Sequence, residues 1–144
     1  MRYIGLDLGT KTLGISTSNG IVASVYKTLR HNEDYDYLVN EVKKIIQEER
    51  IDMIILGFPK NMNNTVGERA SITLKFKEKL EKVTGLEVVL EDERLTSVVA
   101  NNALIDASTR REKRKKKVDG VASVIILQSY LDRREKENER DKDN

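Results

Sequence analysis

Three carboxylates, Asp7, Glu93 and Asp119, stand at positions where a solvated surface charge would not be expected. Asp7 interrupts Arg2-Tyr3-Ile4-Gly5-Leu6-Asp7-Leu8, a segment that otherwise reads as a buried strand. A lone carboxylate in that setting loses solvation and is disfavoured unless a cation compensates it. Gly5 and Gly9 flank it, leaving room for a bulky group or another backbone near its oxygens. Thr10, Lys11, Thr12 and Gly14 then add small side chains, hydroxyls and an ammonium, a combination that suits a divalent cation with a phosphate beside it. Glu93 lies at the carboxyl end of a later strand. Asp119 falls in the first turn of a helix, on one face with Ala122, Ile126 and Tyr130, and is expected to point inward. Three converging carboxylates repel one another, and one or two Mg²⁺ or Mn²⁺ ions are their natural neutralisers. Two such ions about 4 Å apart can activate water and stabilise the leaving oxygen in phosphodiester cleavage.

Each acid also has a plainer use. Asp119 could favour the positive end of its helix dipole, and Asp7 could pair with a lysine. Glu93 follows Glu91 and Asp92, and strand alternation puts Glu91 and Glu93 on one side and Asp92 on the other. A metal site accounts for all three acids together more economically than three separate explanations.

Composition agrees with a metal-based chemistry. The 144 residues contain no cysteine and one histidine, which excludes disulfides, thiolate zinc sites and a cysteine nucleophile. His31, among Asn32, Glu33 and Asp34, reads as an ordinary surface residue, so a serine–histidine–acid triad is not expected. No apolar run approaches the ~20 residues that span a bilayer, and the chain opens on a strand instead of a signal peptide, so a soluble, cytoplasmic protein with no membrane partner is expected. The net charge of +2 hides a segregated distribution: Arg110, Arg111, Lys113, Arg114, Lys115, Lys116 and Lys117 are interrupted only by Glu112.

These residues need a scaffold. Residues 2–8, 13–18 and 21–26 read as three strands, and Asn19-Gly20 signals a type I′ hairpin between the last two. Leu38, Val42, Ile45 and Ile46 recur at helical spacing over 34–49. Residues 52–57 form a continuous apolar strand, a loop runs over 58–67, and a helix over 68–83 ends at Thr84-Gly85. A fifth strand over 86–90, a helix from Thr96 to Ile105 and a last helix over 118–133 follow. The order predicts an α/β fold: a mixed five-stranded sheet with three leading strands, then βαβ units, flanked by helices. Residues 1–134 read as one domain with a mobile basic loop over 106–117, and 135–144 as a charged, frayed tail.

At this point the motifs resemble a known family. Asp7-x-Gly9-x-Lys11-x-x-Gly14, Gly57-Phe58-Pro59-Lys60-Asn61-Met62-Asn63, Asp92-Glu93-Arg94-Leu95-Thr96, and Lys117-x-Asp119 before Ile126-Leu127-Gln128-x-Tyr130-Leu131 are similar to the YqgF (RuvX) family over residues 2–131. Its members are described as Holliday-junction resolvases and as nucleases maturing the 5′ end of the small-subunit ribosomal RNA precursor. The resemblance implies a ribonuclease-H-like fold, with Asp7, Glu93 and Asp119 as catalytic, metal-binding acids. Phe58 replaces the family's usual leucine and Ser123 a common alanine, and neither touches a proposed catalytic acid.

Around the acids lie candidate contacts to nucleic acid. Lys60, Asn61, Asn63, Thr65 and Arg69 sit near the carboxyl end of the fourth strand, where open α/β sheets place ligands. The helix start near Gly67 offers free N–H groups. Lys11, Arg94 and the cations over 110–117 are further candidates for phosphate, contacts that give affinity without sequence information. The leading expectation is a Mg²⁺-dependent endonuclease acting on precursor ribosomal RNA, with ribosomal particles as further partners. A resolvase of branched DNA needs the same acids, and a non-catalytic RNA- or ribosome-binding module is the third possibility. The segment from Ile4 to Thr10 also resembles the first phosphate loop of the sugar-kinase, actin and heat-shock ATPase superfamily, but a second lobe has no room here.

Overall fold

The computed structural model describes residues 1–59, 67–92 and 118–142, with 118–119 and 138–142 described by their backbone alone. Five strands and three helices follow one another: β1 (Tyr3–Leu8), β2 (Thr12–Ser18), β3 (Ala23–Arg30), α1 (Tyr35–Glu49), β4 (Met53–Phe58), α2 (Glu68–Thr84), β5 (Val88–Asp92) and α3 (Val118–Lys142). The sheet order is β3-β2-β1-β4-β5. β2 pairs antiparallel with β3 on one side and β1 on the other, whereas β1, β4 and β5 run parallel. The expected mixed five-stranded sheet is therefore the observed one. The helix expected from Thr96 to Ile105 lies outside the described residues.

Period-two alternation divides the sheet into two unlike faces. Ile4, Leu6, Leu8, Leu13 and Ile15 point to one side and pack with Leu38, Val42 and Ile45 of α1 and Phe76 and Leu80 of α2. Asp34 caps α1 by accepting from the Tyr37 N–H, and Gly85, in the left-handed conformation (φ 72°), closes α2. Tyr3 and Ile55 point the other way and meet Ile126, Leu127 and Leu131 of α3. The opposite face is thus covered by a single described helix.

Several boundaries differ from expectation. The hairpin connection spans 19–22, and Asn19 lacks the positive φ that a type I′ turn requires; only Gly20 is positive there, at 116°. Ile21 and Val22, expected in the third strand, lie in this connection and are exposed. Their apolar character imitated strand sequence without a core to face. The fifth strand is displaced by two residues, to 88–92, where it can pair with β4. The last helix continues to Lys142, past the expected end at 133.

Candidate active site

Asp7 occupies the last turn of the pleat in β1, opposite Gly14. Its parity is that of Tyr3 and Gly5, so it belongs to the face covered by α3. The carboxylate is half-buried, and among the described residues it makes no hydrogen bond or ion pair. The alternative of a lysine salt bridge has no support in this part of the molecule.

The first turn of the helix lies over β3, where Gly120 meets Val25 and Thr28. Near its far end Arg134 Nη1 donates to the Tyr3 hydroxyl at 2.6 Å, at the start of β1. Burial pushes the Tyr3 phenol above its ordinary pKa, against the opposing pull of Arg134. Ser123 and Leu127 sit over Gly5, where a side-chain carbon would stand 3.0 Å from the Ser123 carbonyl and 2.7 Å from Leu127 Cβ. Ser16 Oγ donates to that same Ser123 carbonyl at 2.9 Å. From Gly120 against β3, through Ser123 and Leu127 over Gly5 of β1, to Arg133 at Glu91 of β5, the helix crosses the sheet obliquely. One turn before Ser123, Gly120 lies against Val25 and Thr28 of β3, and Thr28 pairs in register with Gly14, the partner of Asp7. Gln128 fixes the helix sideways: its Oε1 accepts from the Ala23 N–H at 2.8 Å and its Nε2 donates to the Ile21 carbonyl at 2.9 Å.

Glu91 resolves part of the ambiguity in the acidic run. Its side chain is fully buried and held bidentately by Arg133 of α3, at 2.6 and 2.8 Å. It is committed to a structural pair. Glu93 itself lies outside the described residues, as do Lys60, Asn61, Asn63, Thr65, Arg94, Arg110, Arg111, Lys113, Arg114, Lys115, Lys116 and Lys117. Of Asp119 only the backbone is described. No cluster of three potential metal ligands occurs among the described residues.

Two predicted contacts can be placed. Lys11 is exposed in the turn between β1 and β2. Arg69, in the first turn of α2, is half-buried and donates from Nη2 to the Leu8 carbonyl at 2.6 Å, beside Asp7. Gly67 precedes this helix without a side-chain cap. The room expected at Gly9 is used internally: its N–H donates to the Thr12 carbonyl at 2.8 Å, closing the turn.

His31 overturns its reading as a surface residue. The ring is only 8 % exposed and bridges two loops. Nδ1 accepts from the Glu33 N–H at 3.0 Å, so the proton sits on Nε2 and is donated to the Gly9 carbonyl, also at 3.0 Å. The polar neighbours that suggested exposure point outward while the ring turns in. Arg30, beside it, was not singled out by the sequence; its register opposite Thr12 places it at the same end of the sheet.

A mixed sheet of this order, with one face covered by α1 and α2 and the other by α3, belongs to the ribonuclease-H-like class. In agreement, RuvC of Thermus thermophilus, solved in complex with a Holliday junction substrate, superposes with a TM-score of 0.62 at 10 % identity, covering 93 % of this chain and 95 % of that one. The family model described as RuvX, Holliday junction resolvase, matches residues 1–133, and the chain belongs to this family. A Bacillus subtilis protein named "Putative pre-16S rRNA nuclease" is 48 % identical over 135 residues, covering 92 % of this chain and 98 % of that protein. A Staphylococcus epidermidis protein of the same name is 43 % identical over 135 residues, covering 91 % and 95 %.

Proposed function

We propose that the chain is a divalent-metal-dependent endonuclease that hydrolyses phosphodiester bonds in structured nucleic acid, foremost in 5′-end maturation of precursor 16S ribosomal RNA. The observation that carries this is Asp7: a half-buried carboxylate with no ion-pair partner among the described residues, on the sheet face that α3 covers. A desolvated acid left uncompensated by the protein's own cations fits a metal ligand better than a structural charge. Asp7, Glu93 and Asp119 would hold Mg²⁺ or Mn²⁺. Bound there, the metal supplies charge stabilisation and activation of water for hydrolysis. The chain's own part is to hold the carboxylates in place through the packing of α3 on β1 and to neutralise neighbouring phosphates through Lys11, Arg69 and the cations over 110–117.

Residues 1–134 form the nuclease unit in this proposal. The names of the B. subtilis and S. epidermidis relatives support the ribosomal RNA precursor; a ribosomal particle as its carrier is part of the proposal. The family description supports a second reading, resolution of four-way DNA junctions, which needs the same acids. Action in the cytoplasm follows from the ribosomal substrate; among the described residues, no helix is long and apolar enough to cross a membrane.

The test compares cleavage of precursor 16S rRNA and of a four-way DNA junction by the purified protein, in Mg²⁺ and in Mn²⁺, with Asp119→Asn as control. Cleavage of the RNA that Asp119→Asn abolishes is the expected result. Cleavage of the junction alone would establish the second reading, and turnover of neither would leave a binding module.

A further inference from the structure

Between β2 and β3, at the end of the sheet that carries Asp7, lies an open cleft of about 250 Å³ lined by Lys11, Thr12, Arg30, His31 and Asn32. Its volume exceeds several times the ~30 Å³ share of a water molecule, so it admits a hydrated phosphate group. Two cations line it, Lys11 from the turn before β2 and Arg30 from the end of β3: Arg30 pairs in register with Thr12, and the His31 N–H donates to the Lys11 carbonyl at 2.9 Å. Like charges lining one cleft oppose each other. Among the described residues neither Lys11 nor Arg30 has a hydrogen-bonded or ion-pair partner, although both are exposed and acids are abundant in the chain.

The cleft is built, not incidental. Its floor is the buried His31 ring, locked by the Gly9 carbonyl on one side and the Glu33 N–H on the other. Glu33 adopts a left-handed backbone (φ 64°), an uncommon state for a side chain of this kind. The Asp34 carboxylate is engaged by the Tyr37 N–H. With Nδ1 and Nε2 both used, His31 shapes the cleft and leaves binding to its neighbours.

Register fixes the relation of this cleft to Asp7. Thr12 shares the parity of Gly14, the partner of Asp7, and Arg30 that of Thr28. Thr28 borders the first turn of α3, its Oγ1 3.7 Å from where a side-chain carbon on Gly120 would stand. Arg30 is therefore one two-residue step, about 7 Å, farther along the same face.

We propose that Arg30, with Lys11 and Asn32, forms a phosphate-binding subsite that holds the nucleic-acid backbone beside the phosphate presented to Asp7. This rests on the nuclease reading for its substrate. The guanidinium supplies a paired N–H fork for phosphate oxygens, Lys11 a point charge, and Asn32 an amide donor. Phosphodiester chemistry is shared by RNA and DNA, so the subsite serves either substrate.

The experiment measures equilibrium binding by fluorescence anisotropy in EDTA, where cleavage cannot intervene. The probes are a labelled precursor 16S rRNA segment and a labelled four-way DNA junction, across a salt series. Arg30→Gln should weaken binding roughly tenfold to the probe that the wild type cleaves and lower the salt slope by about 1. Arg30→Lys should recover part of the loss, and Lys43→Gln, a charge-matched change on α1, should bind as wild type. In Mg²⁺, Arg30→Gln should raise KM with kcat little changed. Wild-type affinity and slope in a folded Arg30→Gln protein, judged by circular dichroism, would overturn the proposal. Should that variant not fold, Lys11→Gln carries the same expectation and the same refutation, while Asn32→Ala should weaken binding with the slope unchanged. A wild-type chain that binds without cleaving overturns the nuclease reading and leaves the subsite to be judged by the slopes; one that binds neither probe overturns both.

Discussion

A methyl group at Gly5 would lie 2.4 Å from Ser16 Oγ and 2.7 Å from Leu127 Cβ. Ser16 could rotate, but the Leu127 contact can be relieved only by moving α3 away from β1. Gly5→Ala is therefore expected to destabilise the fold by about 1–3 kcal/mol, the range for overpacking, with the urea midpoint falling at constant m-value. Cleavage should fall further than the folded fraction, because the displaced helix carries Asp119. The glycine's importance was legible in sequence only as clearance around Asp7. What actually fills the space is the helix backbone, and no spacing rule names that partner. His31 was misread for a similar reason: its neighbours are polar, but its ring satisfies both nitrogens inside the molecule.

At the scale of elements, α3 is fastened to the sheet by unlike contacts along its length. Apolar packing of Ile126, Leu127 and Leu131 supplies most of the driving force, while Gln128 and the Arg133–Glu91 pair set its direction. Removing Arg133 leaves the fully buried Glu91 carboxylate uncompensated. Breaking a buried pair costs about 3–5 kcal/mol, but the Arg133 side chain is 47 % exposed and part of its attraction is screened. Arg133→Ala should therefore cost about 2 kcal/mol. In the Glu91→Leu, Arg133→Leu double variant most of that loss should return, a coupling that chemical denaturation of the four proteins measures directly. Helices α1 and α2 were legible because their apolar residues recur at the helical period and their ends carry caps. The hairpin and β5 were placed less well. Exposed Ile21 and Val22 resemble strand residues, and a fifth strand's start depends on its pairing with β4 more than on its own composition.

Across the whole molecule, the mixed sheet and the two-sided layering followed from the sequence of element types, because parallel strands need crossovers and helices must cover both faces; the strand order itself comes from the pairing. Lys11 was read from the sequence as a phosphate candidate, whereas Arg30, distant in sequence, joins it in one cleft only through register; the run over 110–117 lies outside the described residues. Contiguous and assembled cations should act together in binding. Affinity for either nucleic acid is expected to fall linearly on a log–log plot against salt, and replacing Lys115, Lys116 and Lys117 by glutamine should make that slope shallower by about 2–3. An unchanged slope would remove this segment from the interface.

All of these contacts serve a reaction centred on Asp7. Its nearly isosteric replacement by asparagine removes the charge while preserving the shape at the end of β1. The decisive measurement is single-turnover cleavage of precursor 16S rRNA in Mg²⁺ by Asp7→Asn, with folding confirmed by an unaltered urea transition. A folded variant that binds the RNA with near-normal affinity and has lost cleavage is the predicted result; cleavage at the wild-type rate would contradict the assignment of Asp7 to the metal.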